Sequence, residues 1–131
     1  MNARLRAQVR RRARGRCEYC RTPFRYDFIP AEIDHIVSQQ HGGRTLAGNL
    51  AAACAHCNSH KGPNIAGVNL ASGEVVRLFN PRTDHWADHF HWIGSLLIGI
   101  TAQGRATIQV LAINDPAKRA ARAALMEEGL Y

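Results

Sequence analysis

Acidic residues are missing from the first sixteen positions, which hold seven arginines and no Asp or Glu. The other ten Lys+Arg are matched by all ten Asp+Glu, so the formal +7 resides entirely in that opening segment. A cationic arm suits a polyanion, because each neutralised phosphate releases condensed counterions. The competing reading is a solvated helix face. Long hydrophobic runs are also missing: the longest nearly apolar stretch, residues 92–100, falls well short of the roughly 20 residues a membrane helix needs. No apolar segment of secretory type opens the chain, and a cytoplasmic location is the expectation. No helix-turn-helix signature is evident, so direct base readout has no support. Aromatic residues are sparse at 7%. Phe79, Trp86, Phe90 and Trp92 nevertheless fall close together, among His85, His89 and His91. They read as a packing strap over the core more readily than as a base-stacking platform.

What is present fits one globular domain. At 131 residues and 46% hydrophobic content the chain can bury a modest core, and a covalent or metal staple would help it. The reading is a single domain, 1–131: a basic helical arm (1–16), a stapled core (17–63) and a C-terminal extension (64–131) packing on that core. Leu5 and Val9 at i, i+4 predict a helix over 2–14, with Gly15 as its stop. β-branched residues predict a strand over 31–37, after an irregular link over 21–28. Gly42-Gly43 marks a turn within a loop over 38–49, and 50–53 pairs back as a second strand. A short helix follows and ends near Gly62-Pro63. Residues 64–81 read as irregular or extended, with a strand at 74–78. A hairpin over 89–100 turns at Gly94-Ser95. Thr101 caps a helix that Gly104 weakens, and Asp115-Pro116 opens a final helix stopping at Gly129.

Only four cysteines occur, and they fall in two Cys-x-x-Cys pairs, Cys17/Cys20 and Cys54/Cys57. Each pair can turn both sulfurs toward one ion, and two pairs complete a tetrahedral Zn²⁺ site. Four thiolates leave no position for water, so this zinc is structural. Disulfides, or a thioredoxin-like redox pair, are the rival readings. The 33 residues between Cys20 and Cys54 exceed ordinary zinc-ribbon spacing, which implies a folded insertion.

That insertion carries Asp34-His35. An imidazole titrates near neutrality and can accept a proton from water, while Asp and Asn oxygens suit a hard divalent cation. Neighbouring strand residues point to opposite faces, so a twist is needed for both side chains to serve one phosphate. The succession Cys-x-x-Cys, Ile-Asp-His-Ile, Gly-Gly, Asn-Leu, Cys-x-x-Cys-Asn and Lys-Gly, over roughly 16–63, resembles the HNH endonuclease family with its ββα-metal fold.

The resemblance implies an α+β domain with a ββα core, and a divalent-metal-dependent DNA endonuclease. It implies His35 as the general base and Asn49 as the residue fixing the loop and helping to orient His35. Asp34 and Asn58 become the ligands of a catalytic Mg²⁺ or Mn²⁺. Asn58 stands where the family has His or Asn, an H-N-N variant. DNA is then held by its phosphates, through Arg4, Arg10, Arg11, Arg14 and Lys61. His41, beside Gly42-Gly43, reads as reaching the DNA backbone, and His56 and His60, at i, i+4, as phosphate-contacting or solvent-facing more readily than as metal ligands. The alternative function is a zinc-stapled nucleic-acid-binding module without turnover.

Overall fold

A computed structural model describes residues 1–26 and 30–131. Residues 27–29, among them the end of the irregular link, lie outside the described residues. Helices and strands are mixed, as expected of an α+β chain, and the chain divides into two compact units, Met1–Ile65 and Ala66–Tyr131.

The first unit opens with helix α1 (Ala3–Arg12), whose N-cap Asn2 accepts a hydrogen bond from the Leu5 N–H at 2.8 Å. The arginines of its last turn meet the negative end of the helix dipole. Strands β1 (Glu32–His35) and β2 (Leu50–Ala53) form an antiparallel pair in the register Glu32↔Ala53, Ile33↔Ala52, Asp34↔Ala51 and His35↔Leu50. β1 is shorter than the expected 31–37: Ile36 still donates its N–H to the in-register Asn49 carbonyl, but the Val37 N–H turns to the Asn49 side chain instead. Helix α2 (Ala55–Lys61) follows β2 directly.

The pleat divides the labour of this hairpin. Val9, Ala13, Leu50 and Ala52 form one buried cluster, with Leu5, Phe24 and Ile33 packed against it. Full burial of a side chain such as Leu50 contributes roughly 1.5–3 kcal/mol, which makes α1 part of the core as well as a basic arm. The opposite face of β1, carrying Glu32 and Asp34, meets α2.

The second unit contains a strand that the sequence reading omits. β3 (Ala66–Val68) pairs with β4 (Val75–Arg77), the latter inside the expected strand at 74–78, within a segment read as irregular or extended. Three-residue strands containing a glycine carry too little periodicity to announce themselves. β5 (Phe90–Ile93) and β6 (Leu96–Gly99) make the expected hairpin. Helices α3 (Ala102–Val110) and α4 (Pro116–Glu127) complete the unit. Thr101 Oγ1 caps α3 by accepting from Gly104 N at 2.9 Å, whereas Asp115 holds the N-cap position of α4 without a side-chain bond.

Gly104 is required rather than merely tolerated: a Cβ there would lie 2.3 Å from the His89 carbonyl oxygen. The aromatic run packs within its own unit, with ring centroids 5.4 Å apart for Phe79–Phe90, 5.1 Å for Trp86–Phe90 and 6.0 Å for Trp86–Trp92. The Arg122 guanidinium lies 5.0 Å from the Trp92 ring centre.

Candidate metal centre and ββα site

Two tight turns bring the four cysteines together. Cys17, Cys20, Cys54 and Cys57 are all buried, and their sulfurs lie within 4.8 Å of one another. They are free thiols; Cys20 Sγ and Cys54 Sγ are 3.7 Å apart, far beyond a disulfide bond. The N–H of Cys20 donates to Cys17 Sγ and that of Cys57 to Cys54 Sγ, at 3.5 and 3.4 Å, an arrangement that favours thiolate at the receiving sulfurs. Burial pushes the Cys17 thiol well above its ordinary pKa, and contact with Cys17 does the same to Cys57. Contact with Cys17 shifts Cys54 the other way, below its ordinary value, and a cation would offset the cost of burying the remaining thiolates. The donor set therefore fits a tetrahedral metal ion.

From this staple run the elements that position the other side chains. Glu18, one residue into the first turn, accepts the Ala52 N–H on Oε2 at 2.8 Å and donates its own N–H to the Ala52 carbonyl at 2.9 Å. β2 is thereby fastened to the knuckle. Tyr19 donates its hydroxyl to Asp34 Oδ2 at 2.6 Å. Burial first, then the charge of Asp34, holds the Tyr19 phenol well above its ordinary pKa, so it stays a neutral donor.

Asp34 is 4% exposed and its other oxygen, Oδ1, receives Lys61 Nζ at 3.2 Å. Desolvation raises the Asp34 carboxyl above its ordinary value, against the opposing pull of Lys61 and Tyr19. Lys61 donates also to the carbonyls of His35 and Ile36, at 3.1 and 3.0 Å. An ammonium has three N–H donors, and all three are used here. With Lys61 only 1% exposed, the expected phosphate contact by Lys61 is corrected: it is an internal clamp between α2 and the end of β1.

Asn58, expected to share a cation with Asp34, has a different carboxylate beside it. Its amide nitrogen donates to Glu32 Oε2. Both residues are half-buried, in contrast to Asp34. The structure thus sets Asn58 against Glu32 and Asp34 against Lys61. Glu32 was missed in the sequence, although its i, i+2 spacing from Asp34 places it on the same strand face.

His35 closes β1 on the other face, half-buried, with Nε2 2.9 Å from Thr45 Oγ1. Asn49 holds the intervening loop: Oδ1 accepts the Val37 N–H, and Nδ2 donates to the Val37 and Arg44 carbonyls, each at 2.9 Å. Its side chain fixes the backbone beside His35, while Thr45 holds the imidazole itself. Gly43 lets the loop fold back tightly, since a Cβ there would sit 1.7 Å from the Val37 carbonyl oxygen. Thr45 and Tyr19 gave no signal in sequence, because a lone hydroxyl matters only through what folding puts beside it.

Arg4, Arg10, Arg11 and Arg14 are exposed, as phosphate contact requires. Arg12 is half-buried and donates to the Leu50 carbonyl, so one cation of the arm ties α1 to β2. His60 Nδ1 lies 2.8 Å from the His56 carbonyl oxygen, and the two rings are 4.1 Å apart.

Residues 17–64 match the family model described as HNH endonuclease. No curated protein and no solved structure matches the chain.

Proposed function

We propose that this chain, whose residues 17–64 carry an HNH endonuclease domain, hydrolyses phosphodiester bonds of DNA with the help of a divalent cation. The observation that carries the proposal is His35 itself. It sits half-buried at the end of β1, inside the matched segment, with its ring held by Thr45 and the backbone beside it held by Asn49 and Lys61. A base must be both fixed and reachable, and this imidazole is both.

In the proposed reaction His35 takes a proton from the attacking water. Asn49 keeps the loop, and hence the imidazole, in place. A Mg²⁺ or Mn²⁺ ion would supply charge stabilisation at the phosphate and at the leaving 3′ oxygen. Asn58 and a carboxylate of β1 would hold it; Asp34, which the resemblance names, is already shared between Tyr19 and Lys61. Arg4, Arg10, Arg11 and Arg14 would hold the phosphate backbone, with affinity falling steeply as salt rises. The four cysteines would hold Zn²⁺ as a structural ion.

A second reading, a nucleic-acid-binding module without turnover, draws on that same engagement of Asp34. Supercoiled plasmid with Mg²⁺ or Mn²⁺ separates the two. Nicking by the wild-type protein, abolished in His35→Ala with DNA binding retained, is the expected outcome. Equal nicking by both proteins removes His35 from the mechanism. DNA binding with no nicking by either favours the binding module.

A further inference from the structure

We infer that the outer edge of β4 is a pairing surface for a second copy of this chain. β3 and β4 form a two-stranded sheet, so each strand has one side without a neighbouring strand. The register fixes what β4 leaves unpaired. Asn69 donates its N–H to the Glu74 carbonyl at 2.8 Å, just past the ladder pair Val68↔Val75. Hydrogen-bonded pairs alternate along an antiparallel ladder, so Gly67↔Val76 is the next of them. Val75 and Arg77 therefore turn their N–H and C=O groups away from β3. Among the described residues these groups have no hydrogen-bond partner.

The side chains leave that edge unguarded. Gly67 and its partner Val76 face α3, where a Cβ on Gly67 would press on Ala106 and Val110. The other face carries Val68 and Val75, a cross-strand pair 47% and 77% exposed. A sheet edge is ordinarily blunted by a bulge, a proline or a repelling charge. β4 has only Arg77, and the surroundings make that charge complementary instead of repelling.

Beside the edge lies an open groove of about 470 Å³ lined by Val75, Val76, Arg77, Asp84 and Gln103. Asp84 Oδ2 accepts the Asn80 N–H at 2.8 Å and Gln103 Nε2 at 2.9 Å, which fixes the carboxylate in place. Neither Asp84 nor Arg77 joins an ion pair among the described residues. One patch thus offers both a cation and an anion that lack an opposite charge. A two-fold interface needs that pattern, because the same surface must complement itself.

Antiparallel pairing of two β4 strands about Val76 sets Val75 against Arg77 of the second copy, and Arg77 against its Val75. The outward backbone groups of both strands are then satisfied, and the two sheets merge in the order β3-β4-β4-β3. Arg77 of the second copy enters the groove that holds Asp84, with its stem over Val75. A foreign strand would gain the backbone bonds without the reciprocal charges, which favours a second copy as the occupant. Strands of three residues bury less than a standard interface, so the association is weak and concentration-dependent.

This inference does not draw on the nuclease reading. Sedimentation equilibrium of the zinc-loaded full chain without DNA measures the association, and amide hydrogen exchange locates it. Dimers are expected, with exchange of the Val75 and Arg77 N–H groups slowing as concentration rises. Val75→Lys and Arg77→Glu each set like charges together and are expected to weaken the dimer about tenfold or more. Both positions are exposed, so the fold is retained. Leu70→Lys changes a side chain 76% exposed but beyond the paired residues, and is expected to stay within about threefold of wild type. A dimer lost in Leu70→Lys and kept in Val75→Lys overturns the inference, as does a dimer whose Val75 and Arg77 amides still exchange freely. A chain that stays monomeric up to about 1 mM also overturns it and leaves the edge to a foreign strand.

Discussion

Lys61 and Asp34 form an ion pair inside the protein, 3.2 Å apart, with side chains 1% and 4% exposed. The lysine belongs to a helix and the aspartate to a strand. The same ammonium also binds the carbonyls of His35 and Ile36, which makes the pair the bolt between α2 and the end of β1. Removing one partner strands the other charge in a dry site.

Lys61→Met is therefore expected to destabilise the first unit by about 3–5 kcal/mol. Urea denaturation of the zinc-loaded protein measures it. A loss below about 1 kcal/mol, the range of an exposed pair, would contradict the burial seen here.

Tyr19→Phe removes the hydroxyl that favours ionised Asp34, so the Asp34 carboxyl is expected to titrate still higher, as read by carboxyl ¹³C NMR. The sign for stability follows. A carboxyl raised on folding binds more protons in the native state, so its contribution declines as pH climbs from the ordinary carboxylate value through the raised one. Tyr19→Phe extends that window upward and deepens the decline. The substitution is expected to cost about 1–3 kcal/mol near neutral pH.

The cysteine cluster yields a test that uses a coincidence of sequence. Both tryptophans, Trp86 and Trp92, lie in the second unit, and all four cysteines in the first. Metal binding at such a site is worth about 10–16 kcal/mol, so Cys54→Ser or chelation is expected to unfold the first unit. Amide NMR signals of residues 1–65 should collapse while tryptophan emission changes little. One Zn²⁺ per chain, by native mass spectrometry, should disappear in the same variant.

Asn49→Ala strips partners from the Val37 N–H and from the Val37 and Arg44 carbonyls. The loop beside His35 is expected to loosen, lowering the nicking rate about 100-fold, since a 1 Å misplacement is enough for that. Zinc content should stay at wild-type level. A variant as fast as wild type would show that the loop needs no clamp.

Gly104→Ala reverses an ordinary rule. In an exposed helix interior the change gains up to about 1 kcal/mol. Here the new methyl meets the His89 carbonyl oxygen at 2.3 Å, and a loss of about 1–3 kcal/mol is expected in thermal unfolding of the second unit.

The contrast at Gly104 is general to this chain. Features governed by neighbours along the sequence were legible. The i, i+4 pair Leu5 and Val9 announced α1, the two Cys-x-x-Cys turns announced the metal centre, and Gly94-Ser95 announced the β5–β6 hairpin. Each depends on local geometry or on a ligand spacing that a short peptide already fixes. Which partner each polar side chain takes was not legible. A strand residue fixes only its face, and a helix residue only its side. Whether Asp34 meets Asn58 or Lys61, and whether Lys61 meets phosphate or carboxylate, depends on how far α2 slides along β1 when the hairpin closes. That offset is set by burial of alanines, a tyrosine and four cysteines from distant parts of the chain. Sequence by itself determined the cysteine staple, the strand that ends on His35 and the basic arm; tertiary packing alone decided which carboxylate stays open to solvent, because burial and pairing are properties of the assembled interior.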